Sequence, residues 1–469
     1  MTQVRDTIKL YLEEQQALQQ IRDATPAAVQ PVNRLSYPEL LEIVGITVDF
    51  GHLPQGYINF YPQDFIVEEV SPDNRLSTVD YQADEVPEPP EDQRTLYADL
   101  VKVGLSSIEA AQGLAEALEL GLEAISYAGI KDKIALTSQR ISIRHPDVER
   151  LRAVQLPGMF LKNYQWSKGV VEKGRLTGNR FTIVARTPVT LGTGWLEQAL
   201  KKVGGGFYNF YHFQRFGTPR LISHVLGKHL LCQDYRGVVE TFLCDVGAHT
   251  TPLLSELRAE AKRNFGNWPL IDNLFSQLPY TMRLERILLE HLIDHPQDFS
   301  GALHLISDQT TLWVYAYASY LFNRYLSELA ESGQPIPSEI PLLLHPDYKN
   351  IPAYIGQLHA DGISDLVRSL ERLFGRNPMN PKNTAPAKVL AVMLKPQIVD
   401  RAVILSFQLP PAVYATTFLS HLFLLERGYP TPDWVTTEKF DAKKILGLGL
   451  IEQTEKKLEH YFFKQAESL

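Results

Sequence analysis

The stretch Tyr127-Ala128-Gly129-Ile130-Lys131-Asp132-Lys133-Ile134-Ala135-Leu136-Thr137-Ser138-Gln139-Arg140-Ile141-Ser142-Ile143 decides how this chain is read. A strand-like run, Ile125 to Ala128, ends at Gly129 and a polar turn follows. Alternation resumes with Ile141 and Ile143, the period of a second strand. The turn holds one carboxylate, Asp132, between two ammonium groups, Lys131 and Lys133. It reads either as a solvated hairpin tip or as a reactive carboxylate at a strand end, beside cations and glycine.

Working outward, Ser106 followed by Glu109 is a capping box, and Ile108, Ala111, Leu114, Ala115 and Leu118 form the apolar face of the helix it opens. Strands are expected at Asp64 to Val70, Phe181 to Arg186 and Arg401 to Leu409. A helix between strand pairs predicts an α+β fold with a mixed sheet. Between 218 and 384 helical patterns dominate, as in Thr281 to Leu292 and Gln309 to Glu331. The second is crowded with Trp313, Tyr315, Tyr317, Tyr320, Phe322 and Tyr325, a density that suits a core better than a base-stacking platform. Residues 1–44 read as a helical extension punctuated by Pro26, Pro31 and Pro38. The acidic, Pro-rich residues 71–94 read as a mobile loop. No internal repeat is evident.

The 469 residues suffice for two or three domains, and no run of about 18 apolar residues exists to span a membrane. Two cysteines, Cys232 and Cys244, exclude a disulfide scaffold, and the 13 histidines show no metal-ligand spacing. A cytoplasmic, metal-free protein is expected. The net charge of −8 conceals segregation. From Lys131 to Arg186 twelve Lys and Arg face four acids, whereas from Asp73 to Asp99 eight acids face two arginines. A basic block beside a candidate site is either a nucleic-acid footprint or a solvated strand face.

Three further motifs carry chemistry. In Gly174-Arg175-Leu176-Thr177-Gly178-Asn179-Arg180-Phe181 the glycines permit unusual backbone or close approach. Asn179 offers an amide suited to a base edge, and Phe181 offers a face for stacking. The plain alternative is a hairpin turn leading to a core phenylalanine. Asn209-Phe210-Tyr211-His212-Phe213-Gln214-Arg215-Phe216-Gly217 interleaves aromatics with Gln and Arg, as single-stranded RNA readers do, or as a packed aromatic cluster does. In Leu409-Pro410-Pro411-Ala412-Val413-Tyr414-Ala415-Thr416-Thr417 a strand gives way to a helix.

With these motifs in this order, the chain resembles the TruD family of tRNA pseudouridine synthases. The likeness lies in Asp64-Phe65-x-Val67-x-Glu69, Gly129-x-Lys131-Asp132-x-x-Ala135-x-Thr137-x-Gln139, Gly178-Asn179-x-Phe181, Asn209 through Gly217, and Tyr414-Ala415-Thr416. It implies a mixed-sheet catalytic domain, 45–217 plus 385–435, interrupted by a helix-rich α/β insertion domain at 218–384. A helical extension (1–44) and a helical tail (436–469) flank them. It also implies an isomerase converting uridine to pseudouridine in tRNA, at position 13, as a monomer without cofactor or metal. By that resemblance Asp132 is the catalytic carboxylate, and Asn179, Phe181, Phe65 and Tyr414 line the pocket. Lys131, Gln139 and Arg215 support the pocket or contact RNA. On electrostatic grounds the two lysines beside Asp132 are expected to keep it ionised and the RNA backbone close. Two positions depart from the family pattern. His212 stands where glycine is usual, and Ala412-Val413 replaces a glycine-containing step. Other RNA substrates stay open, as does a non-catalytic RNA-binding protein on the same scaffold. A base-releasing hydrolase is disfavoured because no second carboxylate accompanies Asp132.

Overall fold

The computed structural model describes residues 13–458 except 15, 31–34, 249 and 429–430. The remainder of the expected extension, Pro31, and the tail beyond 458 lie outside the described residues. Internal packing divides the chain into two units, one of residues 51–207 with 389–469 and one of 1–50 with 208–388.

The first unit is built on a mixed sheet of ten strands among the described residues. In chain order these are β1 (Gln55–Tyr57), β2 (Phe65–Val70), β3 (Thr95–Lys102), β4 (Ile125–Tyr127) and β5 (Leu136–Arg144). They continue with β6 (Met159–Ser167), β7 (Gly178–Arg186), β8 (Val392–Val399), β9 (Ala402–Leu409) and β10 (Leu424–Glu426). The central order is β8-β9-β7-β2-β5-β3-β6, with β4 added to β5 and with β1 joining β10 to β7. Only β2–β5 and β1–β10 run parallel. The α+β expectation with a mixed sheet holds, and the Asp132 turn is the connection of the β4–β5 hairpin.

Strand alternation assigns the two faces. The front face carries two apolar clusters. In one, Phe65, Val67, Phe181, Ile183, Leu405 and Phe407 pack with Leu196 and Val203 of α2 (Thr193–Gly204) and with α3 (Ala415–Leu419). In the other, Leu96, Ala98, Leu100, Ile141 and Ile143 pack under Ala111, Leu114 and Ala115 of α1 (Ser107–Ala117). Ile108 departs from its expected place on the apolar face and is 45% exposed. The back face buries Ile66, Val101, Leu136 and Phe160 against Val79, Ile451 and Leu458, and Val184 and Ile404 against Phe440 and Leu446. The described part of the tail is therefore a cover for the sheet, including a short helix at Glu452–Lys457.

Among the strands that went unread, β3 and β6 have an apolar pattern interrupted by charged residues. Asp99 on β3 is fully buried and accepts from Arg75, Arg140, Ser77 and Asn163, so its charge is compensated inside the sheet. The acidic segment 71–94 is likewise anchored rather than loose. Val79 and Val86 are buried, Lys162 donates to Thr78 Oγ1 at 2.9 Å, and Trp166 Nε1 donates to Pro87 O at 2.8 Å.

In the second unit the long helix Ser307–Ser332 buries Trp313, Tyr317 and Phe322, which agrees with a core role for those rings. The described N-terminal residues belong to this unit. Leu18 and Val29 join its core, and Glu14 accepts from the amides of Tyr280 and Thr281 at 2.8 and 2.9 Å. One device recurs here that escaped the sequence reading. His229 bonds the N-cap Asp234, and His291 bonds the N-cap Asp298, each at 2.8 Å with a glycine amide three residues on.

Candidate active site

The capping box of α1 does more than start a helix. Ser106 Oγ accepts from Glu109 N, Glu109 Oε2 accepts from Ser106 N, and the first turn so fixed holds the Asp132 turn at two points, one on each side of Asp132. Lys131 N–H donates to Ser107 Oγ at 2.8 Å, and that hydroxyl donates to Gln139 Oε1 at 2.6 Å. Gln139 closes the circuit by donating to Gly129 O at 3.1 Å. Lys133 Nζ reaches Glu109 Oε1 at 2.9 Å. Asp132 is held through its carbonyl, which accepts from Lys102 Nζ at 3.0 Å. Gln139 is thus a brace for the turn.

The turn inverts the usual arrangement of polar and apolar groups. Lys131 is buried, while Ile130 is 67% and Ile134 43% exposed beside an exposed Asp132. The cause is Glu69 on β2, whose Oε2 lies 2.5 Å from Lys131 Nζ in a pair nearly sealed from water. The other carboxylate oxygen accepts from Arg140 N at 3.2 Å, just beyond Glu68–Ser138 where the parallel ladder ends. Neither lysine flanking Asp132 therefore serves as its counter-ion: Lys131 pairs with Glu69 and Lys133 with Glu109. The nearby cations that act on the Asp132 carboxylate electrostatically include Lys102 and Arg427. Burial drives Lys102 down to about 7, with the Asp132 charge opposing that shift. Burial also lowers Arg427, again against Asp132.

Register gathers the other candidates. Val67 faces Phe181 and Glu69 faces Asn179 across β2–β7, while Val67 faces Thr137 across β2–β5 and Lys102 faces Thr137 across β3–β5. Phe65, Glu69, Asn179, Phe181, Thr137, Gln139 and Lys102 consequently share the front face. Among them Glu69, Asn179, Thr137, Gln139 and Lys102 form a polar seam bordering the apolar cluster that holds Phe65 and Phe181, reaching the Asp132 turn through Lys131–Glu69. Asn179 Oδ1 and Thr137 Oγ1 are buried there without a hydrogen-bond partner among the described residues. Phe181 stacks on Phe407, with centroids 5.5 Å apart and planes at 24°, and meets Phe65 edge-on at 6.1 Å. Both Phe65 and Phe181 are packed side chains, less than a tenth exposed. Gly178 is required by contact, since a Cβ there would lie 2.3 Å from Leu409 O.

Tyr414, at the N-cap of α3, is 37% exposed. Ala412 before it has φ +61°, so alanine occupies the left-handed geometry that glycine suits. His212, by contrast, has φ −92° and bonds Tyr37 OH through Nε2 at 3.1 Å, so it needs no glycine. Arg215 belongs to the other packing unit, its guanidinium 5.2 Å from the Tyr211 ring centroid.

The basic block is mostly neutralised within the fold. Lys131, Lys133, Arg140, Arg150, Arg152, Lys168, Arg175 and Arg186 pair with Glu69, Glu109, Asp99, Glu119, Glu88, Asp92, Glu172 and Asp64 respectively. Asp64 is a structural anion, making a buried bidentate pair with Arg186. Charge counted along the sequence overstates the positive field available to a polyanion.

The family model described as tRNA pseudouridine synthase D (TruD) matches residues 53–341. The chain belongs to the TruD family. A Methanopyrus kandleri member named "Probable tRNA pseudouridine synthase D" is 32% identical over 50% of this chain and 58% of its own length. A Methanocaldococcus jannaschii member named "Probable tRNA pseudouridine synthase D 1" is 29% identical over 61% of this chain and 72% of its own. The match thus spans less than two thirds of the first relative and somewhat more of the second. The TruD crystal structure from Methanosarcina mazei shares the fold, with a TM-score of 0.58 at 21% identity, covering 83% of this chain and 98% of that one.

Sequence reasoning missed three residues of this TruD turn: Ser107, Glu69 and Lys102. Glu69 stood in a quoted motif without a role. Lys102 left one signal, a lone cation interrupting the apolar run Leu100-Val101-Lys102-Val103.

Proposed function

We propose that this chain isomerises uridine to pseudouridine in tRNA, at position 13 as the family resemblance implies, with Asp132 as the catalytic carboxylate. The observation that carries the proposal is the front-face seam. One register sets Asn179 opposite Glu69 and Phe181 opposite Val67, on the face that Phe65 shares, and Glu69 holds the Asp132 turn. The reaction breaks the N1–C1′ bond, turns the uracil in place, and joins C5 to C1′; the proton lost from C5 is balanced by one gained at N1. Asp132 acts either by attacking C1′ or by taking a proton from C2′. The unpartnered Asn179 Oδ1 is an acceptor for the uracil N3–H, which would keep the freed base from leaving. Tyr414, half-open at the head of α3, and the edges of Phe65 and Phe181 supply apolar contact. Lys131 and Gln139 act by holding the turn, and Arg215 is an RNA contact. The target uridine is flipped from its stack at a cost of a few kcal/mol. The working form proposed is a cytoplasmic monomer that needs no metal or cofactor and acts on tRNA.

The test is pseudouridine mapping of unmodified tRNA after incubation with wild type and with Asp132→Asn. Pseudouridine at one tRNA position with wild type, and none with the variant, is the expected result. Equal activity of the two, or no product on any tRNA, refutes the proposal.

A further inference from the structure

The side chain most closely attached to Asp132 is not one of its neighbours in sequence. Lys102, the last residue of β3, is completely buried. Its Nζ donates to two carbonyl oxygens, Leu105 O at 2.7 Å and Asp132 O at 3.0 Å. Leu105 immediately precedes the α1 N-cap, so the ammonium ties the Asp132 backbone to the same first turn that holds Lys131 and Lys133. Those two attachments flank Asp132, whereas the Lys102 bond acts on the residue itself.

An ammonium is an expensive choice for such a staple. Among the described residues Lys102 has no carboxylate within ion-pairing distance, and a buried cation without one is strongly disfavoured. Burial accordingly pushes it to about 7. The charges around it are Asp132, Lys131, Glu109 and Lys133, and Asp132 is the leading favourable influence. Glu109 is already occupied by Lys133, and Lys131 by Glu69. The buried cation sits where its leading counter-charge, the Asp132 carboxylate, is not held by either neighbouring lysine.

We propose that Lys102 is the positioning residue of Asp132, fixing the backbone from which that carboxylate is presented to the nucleoside. This rests on Asp132 being the catalytic carboxylate, as proposed above. Moving a reacting group by about 1 Å can slow an enzyme about 100-fold, which sets the expected effect.

The experiment measures pseudouridine formation on unmodified tRNA by the full chain, comparing wild type, Lys102→Met, Lys102→Ala and Asp132→Asn. Lys102→Met keeps the length of the side chain and removes the donor. Its kcat is expected to fall by about 100-fold while KM for tRNA stays within about threefold. Lys102→Ala leaves a slot into which n-propylammonium fits, and adding that amine is expected to restore at least tenfold of the lost rate, as no bulk stabilisation would. A Lys102→Met kcat within twofold of wild type overturns the proposal. So does a loss that falls on KM, or a failure of the amine to restore Lys102→Ala. The two readings separate through Asp132→Asn. If that variant keeps wild-type activity, the catalytic assignment falls; if it is inactive while Lys102→Met is unimpaired, only the positioning role falls.

Discussion

Glu69→Gln is the most informative perturbation of this fold, because Glu69 belongs at once to the sheet and to the Asp132 turn. Its carboxylate meets Lys131 Nζ at 2.5 Å with side-chain exposures of 2% and 4%, and accepts from Arg140 N at 3.2 Å. Glutamine keeps an oxygen for the Arg140 amide but removes the charge, leaving a buried ammonium without a counter-ion. Breaking a buried pair in this way costs about 3–5 kcal/mol. For a unit of about 240 residues, the lower end of that range, about 3 kcal/mol, corresponds to a melting point roughly 6–12 °C lower. Lys131→Met alone falls similarly, because it strands the carboxylate. The double variant removes both charges together and is expected within about 1 kcal/mol of wild type. Thermal and urea unfolding, with hydrogen exchange followed over residues 136–144, measure all four proteins. The reasoning is refuted if Glu69→Gln melts within 1 °C of wild type, or if the double variant is as unstable as the singles.

Three further outcomes follow from other parts of the same unit. Ala412→Gly removes the penalty of a left-handed alanine, about 1–2 kcal/mol, against a glycine entropy cost of about 0.5–1 kcal/mol. A small rise in melting temperature is expected, and a fall would contradict the backbone argument. Gly178→Ala places a methyl group against Leu409 O and is expected to cost about 1–3 kcal/mol and to lower activity through Asn179 next door; unchanged melting and turnover would argue against a tight fit there. His421 is kept neutral chiefly by burial, its pKa lowered to about 4, with Nδ1–H donating to Thr417 O. Unfolded histidine titrates near 6.5, so between pH 6.5 and 4 the unfolded chain binds a proton that the folded one refuses. This contribution is therefore fully present above pH 6.5 and falls on acidification, the loss levelling off below pH 4 at about 3 kcal/mol. His421→Phe is expected to flatten that limb in urea titrations at pH 7, 5.5 and 4, and an unchanged limb would sink the assignment.

Local chemistry was legible wherever a signal lies within a few residues. The Ser106–Glu109 box, the β4–β5 hairpin around Asp132, the constrained Gly178, and the strands over 181–186 and 402–409 all follow from short-range pattern, although β7 begins three residues earlier, at Gly178. Strands β3 and β6 did not, because Asp99 and Lys162 look like surface residues until their partners arrive from elsewhere in the chain. The acidic segment 71–94 misled for the same reason: its composition is that of a loose loop, yet Val79 and Val86 are core residues.

By itself, then, the sequence determined the fold class, the family likeness and the carboxylate on which a function can be hung. Periodicity, caps and glycines are short-range constraints that a linear reading can evaluate. Tertiary structure decided what each charge does. Lys131 and Lys133, adjacent to Asp132 in the chain, turn to Glu69 and Glu109. Lys102, thirty residues upstream, is the cation that grips it. Electrostatic and hydrogen-bond energies depend on distance in space and on exclusion of water, and both are set by strand register, not by position along the chain.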